Sequence, residues 1–218
     1  MQRYYFIIVA LCVCLSASAA RSKKVETFDA NKWHWTENVD KYQYVAIEDG
    51  FLVIKNIKIN KKATAYGRIA KSYARLPLRP QENFKLTIKY LLADYKKTYY
   101  WIWFNLDKQC LEEDVEPNAQ ESYFLTQLGP QWILNIGDGQ NHEDKLPGKV
   151  ITKGEYPMEF VIEKRGRNAS VELNGILLYE GEMRMTNPCI GFWSPLTAKN
   201  SYIKIDEVIV EQAEPDDN

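Results

Sequence analysis

The segment Thr98-Tyr99-Tyr100-Trp101-Ile102-Trp103-Phe104 carries the side chains best suited to bind a ligand. So many aromatic and β-branched residues favour a β-strand, and side chains alternate between the two faces of a strand. Tyr99, Trp101, Trp103 and Asn105 therefore share one face. Aromatic rings fit the C–H-rich faces of sugars, while polar neighbours hydrogen-bond the hydroxyls. This pattern is typical of a groove that stacks on sugar rings.

Alternate residues of a strand lie about 6.6 Å apart, which approaches one pyranose ring per aromatic side chain. Trp193 is predicted to join the aromatic face, because it points away from its apolar neighbour Phe192. The opposite face of the first strand is predicted to be core and holds Tyr100, Ile102, Phe104 and Leu106. The alternative is that Trp101 and Trp103 are themselves buried, since aromatic strands are often core.

The chain has 218 residues, of which 45% are hydrophobic, and a formal net charge of -1. This length suits one large all-β domain. No basic excess of the kind that binds nucleic acid is present. We therefore expect no nucleic-acid partner.

The first 20 residues have the three parts of a secretory signal peptide. Arg3 is followed by an apolar run from Tyr4 to Leu15 and by small residues from Ser16 to Ala20. The run is shorter than the about 20 residues that span a bilayer. We predict a signal peptide at 1–20 and a secreted or periplasmic mature chain that is not inserted in a membrane.

Cysteine and histidine are scarce in the mature chain. Cys110 and Cys189 remain after cleavage, and an oxidising compartment permits a disulfide that two cysteines alone do not establish. His34 and His142 are the two histidines, and no Cys or Asp pattern surrounds them. The sequence supports neither a zinc site nor a Ser-His triad.

Short apolar segments separated by turn residues run through the chain. Phe84 to Tyr90 alternates strictly between apolar and polar residues, and Asp49-Gly50 and Asn174-Gly175 mark tight hairpins. Gly137 to Gly148 is predicted to be a polar loop. A dozen or so strands at this spacing predict an all-β sandwich or barrel over residues 21–213. Residues 214–218 form an acidic tail.

The second half of the chain resembles the concanavalin A-like jelly roll of secreted sugar-binding and glucanase domains. The residues that carry the resemblance lie in four segments: Phe160 to Gly166, Val171 to Leu177, Ile190 to Trp193 and Tyr202 to Val210. An Asn-Gly hairpin, a Gly-Phe strand and a closing strand with an internal Asp follow one another in that superfamily. The chain is also similar to uncharacterised bacterial exported domains of this type. The resemblance implies a jelly-roll β-sandwich of two antiparallel sheets.

The resemblance also implies candidate catalytic residues. Glu112, Asp114 and Glu116 fit the Glu-x-Asp-x-Glu signature of the family sixteen glucanases, in which the two outer carboxyls perform retaining hydrolysis and the Asp tunes them. That chemistry needs carboxyls about 5–5.5 Å apart. The family has apolar residues at both intervening positions, whereas Glu113 and Pro117 break the pattern here. An acidic loop is therefore the prediction, and a retaining glycoside hydrolase is the alternative.

A structural calcium is the one cofactor that the resemblance implies. Family members often hold this ion with an Asp of the last strand and with backbone carbonyls from an early turn. The matching positions are Asp206 and the turn at Asp49-Gly50. The alternative is that Asp206 is a solvent-facing strand residue.

These observations predict a secreted, non-catalytic, lectin-like domain that binds a poly- or oligosaccharide through a concave aromatic face. One alternative is the glycoside hydrolase with Glu112 and Glu116. The other is a structural or protein-binding sandwich, which tryptophans buried at Trp101 and Trp103 with no groove beside them would favour.

Overall fold

The computed structural model describes residues 21–57, 70–93, 98–106, 122–137, 140–146, 155–194 and 202–213. These residues form fifteen β-strands and no helix. None of the described segments could cross a membrane as a long apolar helix.

The strands have the following bounds in chain order: β1 Arg21–Glu26, β2 Asn38–Val39, β3 Gln43–Glu48, β4 Phe51–Asn56, β5 Ala70–Arg75, β6 Phe84–Leu92, β7 Tyr99–Leu106, β8 Tyr123–Leu128, β9 Gln131–Asn135, β10 Asn141–Lys145, β11 Tyr156–Arg165, β12 Asn168–Leu173, β13 Ile176–Glu182, β14 Cys189–Ser194 and β15 Ile203–Ala213.

The described strands form two antiparallel sheets. The larger sheet has nine strands in the order β13-β12-β11-β6-β15-β4-β3-β2, and β1 pairs with β15 beyond the end of β4. The smaller sheet has six strands in the order β10-β9-β8-β7-β14-β5. Neighbours in the sheets are often distant in the sequence, as in a sandwich with crossing connections. The all-β sandwich predicted from the sequence is confirmed.

Strict alternation in β6 explains how one face of the larger sheet becomes core. Its even-numbered side chains are at most 3% exposed: Phe84, Leu86, Ile88, Tyr90 and Leu92. The facing side of the smaller sheet contributes the buried Tyr100, Ile102 and Phe104 from β7. Burial of such apolar surface is the main favourable term in folding.

A short polar chain crosses this core. The hydroxyls of Tyr90 in the larger sheet and Tyr100 in the smaller sheet lie 2.5 Å apart. The Tyr100 hydroxyl donates to Oε1 of Gln127, whose Nε2 donates to the Gly129 carbonyl at 2.8 Å. Because buried polar groups are costly without partners, this series of hydrogen bonds fixes how the two sheets face each other.

One local prediction is wrong and one lies outside the described residues. The predicted polar loop at Gly137 to Gly148 contains strand β10, which pairs with β9 from Asn135 to Gln131. Its residues are all polar because it is an edge strand, and charged edges discourage pairing with another chain. Cys189 is buried in β14, whereas Cys110 lies outside the described residues, and with it the disulfide that the sequence left open.

Candidate functional site

The face of the smaller sheet that points away from the core carries two parallel rows of side chains, and beside them lie Tyr99, Gln131 and Lys145, which are in register with one another. Strand register sets each row, because directly paired residues of neighbouring antiparallel strands share a face. The first row runs Lys71, Trp193, Trp101, Thr126, Ile133 and Glu143. The second row runs Tyr73, Gly191, Trp103, Phe124, Asn135 and Asn141. We call this surface the outer face.

Aromatic rings fill the half of the outer face formed by β5, β14, β7 and β8. The Trp101 and Trp103 rings stack with centroids 5.0 Å apart and planes at 25°. Phe124 lies 5.0 Å from both of these rings. Trp193 lies 5.2 Å from Trp103 and 6.4 Å from Trp101. The structure thus brings together three tryptophans that the sequence assigned to one face, together with Phe124, whose place depends on strand pairing.

Gly191 makes room for this packing at the centre of the second row. A Cβ atom at Gly191 would lie 2.6 Å from Cδ1 of Tyr73 and 3.1 Å from Cδ1 of Leu106. Both neighbours are buried and cannot move away cheaply. The missing side chain therefore lets Tyr73 lie across β14, where its ring meets Trp193 edge-on at 6.3 Å.

The tryptophans differ in accessibility. Trp103 and Trp193 are each 3% exposed and form the buried floor of the cluster. Tyr99, Trp101 and Phe124 are partly exposed and form its accessible surface. The sequence left open whether this face is groove or core, and the structure divides it into these two layers.

The three tryptophans also present donors that lack acceptors. The indole N–H groups of Trp101, Trp103 and Trp193 are buried and have no hydrogen-bond partner among the described residues. A buried donor left unsatisfied costs about 1–3 kcal/mol.

The polar half of the outer face adjoins the aromatic half through β8. A cavity of about 290 Å³ lies along β9 and β10 and is lined on this face by Gln131, Ile133, Glu143 and Lys145. Ile133 pairs with Thr126, which in turn pairs with Trp101. Trp101 on β7 thus lies two strands away from the Gln131 amide on β9 and three strands away from Glu143 and Lys145 on β10.

A β-bulge at the end of β7 corrects one predicted side-chain direction. Phe104 pairs with Ile190 and Leu106 with Cys189, so Asn105 is an extra residue, and it adopts a left-handed conformation with φ 56°. The extra residue reverses the alternation. Leu106 therefore packs with the Trp103 cluster on the outer face, and its predicted place in the main core is wrong.

Asn105 itself is 4% exposed, and its side chain supports a neighbouring segment. Its Oδ1 accepts hydrogen bonds from the backbone N–H groups of Thr186, at 2.8 Å, and Asn187, at 2.9 Å. The predicted contact of Asn105 with a ligand stays a prediction.

The candidate catalytic residues Glu112, Asp114 and Glu116 lie outside the described residues. Within the described part of the outer face, Glu143 is the one carboxylate among the residues in register. Glycoside hydrolysis uses a pair of carboxyls. The described part of this face therefore holds no such pair.

The candidate calcium residues lie near each other at the turn between β3 and β4. Gly50 has φ 77°, and a Cβ atom there would lie 3.9 Å from both Oδ1 of Asp29 and the carbonyl oxygen of Thr27. Asp206 is an extra, exposed residue of β15 and follows Ile205, which pairs with Leu52 just after this turn. Asp29 is an oxygen donor that the sequence analysis did not identify.

Calcium takes about 6–8 oxygen ligands, many of them carbonyls. In the described part of the chain, no group of three or more His, Cys, Asp or Glu side chains could hold a metal ion. An ion at the Gly50 turn would therefore rely on the Thr27 carbonyl and on water as well as on Asp29 and Asp206. Asp29 and the Thr27 carbonyl are the oxygen groups nearest to Gly50, and the ion stays a prediction.

Comparison with known proteins identifies the fold. No protein-family model and no curated protein sequence matches the chain. Among solved structures, the catalytic domain of an endo-1,3-beta-glucanase (laminarinase) from Thermotoga petrophila RKU-1 is similar at 14% identity with a TM-score of 0.57, over 90% of this chain and 100% of that domain.

Two further structures have the same architecture. SCLam, a non-specific endo-beta-1,3(4)-glucanase from family GH16, is 12% identical with a TM-score of 0.59, over 89% of this chain and 92% of its own. The CBM2 module of the evolved Dit of Lactobacillus casei BL23 phage J-1 is 15% identical with a TM-score of 0.53, over 90% and 97% of the two chains. The chain is thus a concanavalin A-like jelly-roll β-sandwich, as the sequence predicted.

The two layers of the aromatic cluster predict different costs of truncation. We expect Trp103→Ala to lower the free energy of unfolding by about 3–5 kcal/mol, because it removes a buried aromatic side chain. Tyr99→Ala, at a partly exposed position of the same strand, should cost about 1 kcal/mol. Urea denaturation of both variants measures the difference. Equal losses would show that Trp103 does not belong to a buried floor.

The calcium site predicts a stability that depends on the ion. A chelator should lower the Tm of the wild-type protein, since an ion that binds only the folded state stabilises it by about 2.7 kcal/mol at 100 times its Kd. Asp206→Ala should have a lower Tm that the chelator no longer changes. Asp144→Ala, an exposed carboxylate on β10, is the matched control and should keep the chelator effect. An unchanged wild-type Tm would remove the site.

Proposed function

We propose that this protein is a non-catalytic carbohydrate-binding domain that holds a poly- or oligosaccharide on the outer face of its smaller sheet. The observation that carries the proposal is the aromatic cluster, in which Tyr99, Trp101 and Phe124 are accessible on one surface. Sugars offer C–H faces that stack on such accessible rings.

The roles of the residues follow from their places on the face. Trp101 stacks against a sugar ring, and Tyr99, whose ring meets Trp101 edge-on at 6.1 Å, borders the same subsite. Trp103 and Trp193 act from below as the rigid floor. A neighbouring sugar would then lie over β9, where Gln131 and Glu143 can hydrogen-bond its hydroxyls.

Similar folds add support. The structural neighbours include laminarinases and a carbohydrate-binding module, all of the same sandwich architecture. One fold can carry many functions, so the function of an all-β sandwich must be argued from its site. The aromatic face is therefore the main support for the proposal, and the neighbours narrow the ligand class to saccharides. Together with the sequence pattern of residues 1–20, this favours a secreted or periplasmic location.

A glycan array followed by titration calorimetry tests the proposal. The wild-type protein should bind a glycan, and Trp101→Ala should weaken that binding roughly tenfold, because a lost aromatic platform corresponds to about 1.5 kcal/mol. Tyr44→Ala is the matched control, since Tyr44 is a partly exposed aromatic residue of the larger sheet. Its affinity should equal that of the wild type. Failure of the wild type to bind any glycan, or full binding by Trp101→Ala, would overturn the proposal.

An activity assay separates binding from hydrolysis. We expect no release of reducing ends from laminarin, mixed-linkage glucan or agarose, because Glu113 and Pro117 disrupt the glucanase signature. Turnover that disappears in Glu112→Gln would establish the alternative, a retaining glycoside hydrolase.

A further inference from the structure

A second candidate site lies at one end of the sandwich and shares no residue with the aromatic face. A cavity of about 630 Å³ lies between the end of β11, the β11–β12 turn and the segment that leaves β13. Its lining includes three cations and one carboxylate above two methionines: Lys164, Arg167, Arg184, Glu182, Met183 and Met185.

Lys164 is a fixed charge behind this cavity. It occupies an inward-facing position of β11 and is 4% exposed. Its Nζ donates to the carbonyl oxygens of Gln81 at 3.0 Å, Glu82 at 3.4 Å and Gly166 at 2.7 Å. Burial lowers the pKa of Lys164, since desolvation disfavours the charged form. The three carbonyls hold the ammonium group in place without neutralising it.

The two arginines stand on backbone segments that are tied together. The N–H of Met183 donates to the Arg167 carbonyl at 2.9 Å, and the Tyr123 hydroxyl donates to the Arg184 carbonyl. Both side chains are exposed at the mouth of the cavity. Their positions are therefore set by the fold, while their guanidinium groups remain accessible to a ligand.

No carboxylate of the described residues forms an ion pair with Lys164, Arg167 or Arg184. Surface arginines elsewhere do pair, as Arg165 does with Glu163 at 2.6 Å. A cleft lined mainly by one sign of charge attracts ions of the opposite sign. Guanidinium groups bind carboxylate, sulfate and phosphate oxygens through two parallel hydrogen bonds.

We propose that this cavity binds the oxyanion group of an acidic ligand, a carboxylate or a sulfate ester, through Arg167 and Arg184 with Lys164 as the fixed charge behind them. Glu182 at the rim disfavours further negative charge and so limits the ligand to one such group at a time. The apolar surface of Met183 and Met185 accommodates the carbon skeleton that carries the oxyanion.

Titration calorimetry at low ionic strength tests the proposal with four probes: glucuronic acid, galactose 6-sulfate, inorganic sulfate and neutral galactose. The wild-type protein should bind at least one of the two acidic sugars at this site. It should not bind neutral galactose there. The double variant Arg167→Gln/Arg184→Gln should bind the acidic sugar at least roughly tenfold more weakly, which equals about 1.4 kcal/mol. Added NaCl should weaken wild-type binding, because salt screens exposed charges.

Arg165→Gln is the matched control. Arg165 is the last residue of β11, directly before the same turn, and its side chain is 74% exposed. It lines a different cavity with Asn168 and Glu180. Its variant should bind the acidic sugars within about twofold of the wild type, since exposed ion pairs contribute little. The thermal melt of the double variant should match that of the wild type, because both arginines are exposed.

The probes also distinguish the sources of the oxyanion. Preference for glucuronic acid assigns the site to carboxylates, preference for galactose 6-sulfate assigns it to sulfate esters, and equal binding of inorganic sulfate assigns recognition to the oxyanion alone. Each of these three binding preferences supports the proposal if the double variant no longer binds the preferred probe. Absence of binding to every acidic probe, or equal binding by the double variant, overturns it. Neither result depends on Trp101, so the aromatic-face proposal is tested separately.

Discussion

The left-handed conformation of Asn105 is a backbone constraint that lies next to both candidate sites. A non-glycine residue at positive φ is uncommon, and asparagine is among those that tolerate it best. This conformation inserts one extra residue into β7 opposite β14. The bulge turns Leu106 toward the outer face, where it covers the edge of the Trp103 cluster. It also aims the Asn105 amide oxygen at the backbone of Thr186 and Asn187, the segment that continues from the wall of the cationic cavity into β14.

The same constraint explains what sequence alone could and could not predict. Alternation is a local property, so the two faces of β7 from Tyr99 to Phe104 follow directly from residue types. Trp193 was assigned to the same aromatic face by alternation, because it points away from Phe192. The predicted side of Leu106 was wrong because a single bulge reverses the alternation of side chains. The one residue type that could have indicated this bulge is Asn105, and an asparagine was equally consistent with a sugar site. Phe124 was missed because its position beside Trp101 depends on pairing between strands that are distant in the sequence.

The cavity lined by Lys164, Arg167 and Arg184 could not be predicted from the sequence for a related reason. Arg167 belongs to a hairpin turn and Arg184 to a crossing segment, and each taken alone resembles an ordinary solvated charge. Only the sandwich topology brings them to one end, above the inward-facing Lys164. A lysine at an even position of β11, in line with Phe160 and Ile162, is a break in an apolar pattern. Such breaks of a local rule are expected at functional positions.

The two sites offer opposite chemistries, and this difference bears on the ligand. The outer face supplies aromatic ring faces, which suit uncharged sugar rings. The cavity supplies full positive charge, which suits a single oxyanion. Indole N–H groups that have no acceptor among the described residues lower the stability by about 1–3 kcal/mol each, and three clustered cations repel one another. A fold optimised for stability alone would avoid both features, because apolar cores and paired charges are available to it. A bound oxyanion would offset the repulsion among the cations, whereas the cost of an unpartnered indole also occurs at Trp35 in the main core and does not depend on a ligand.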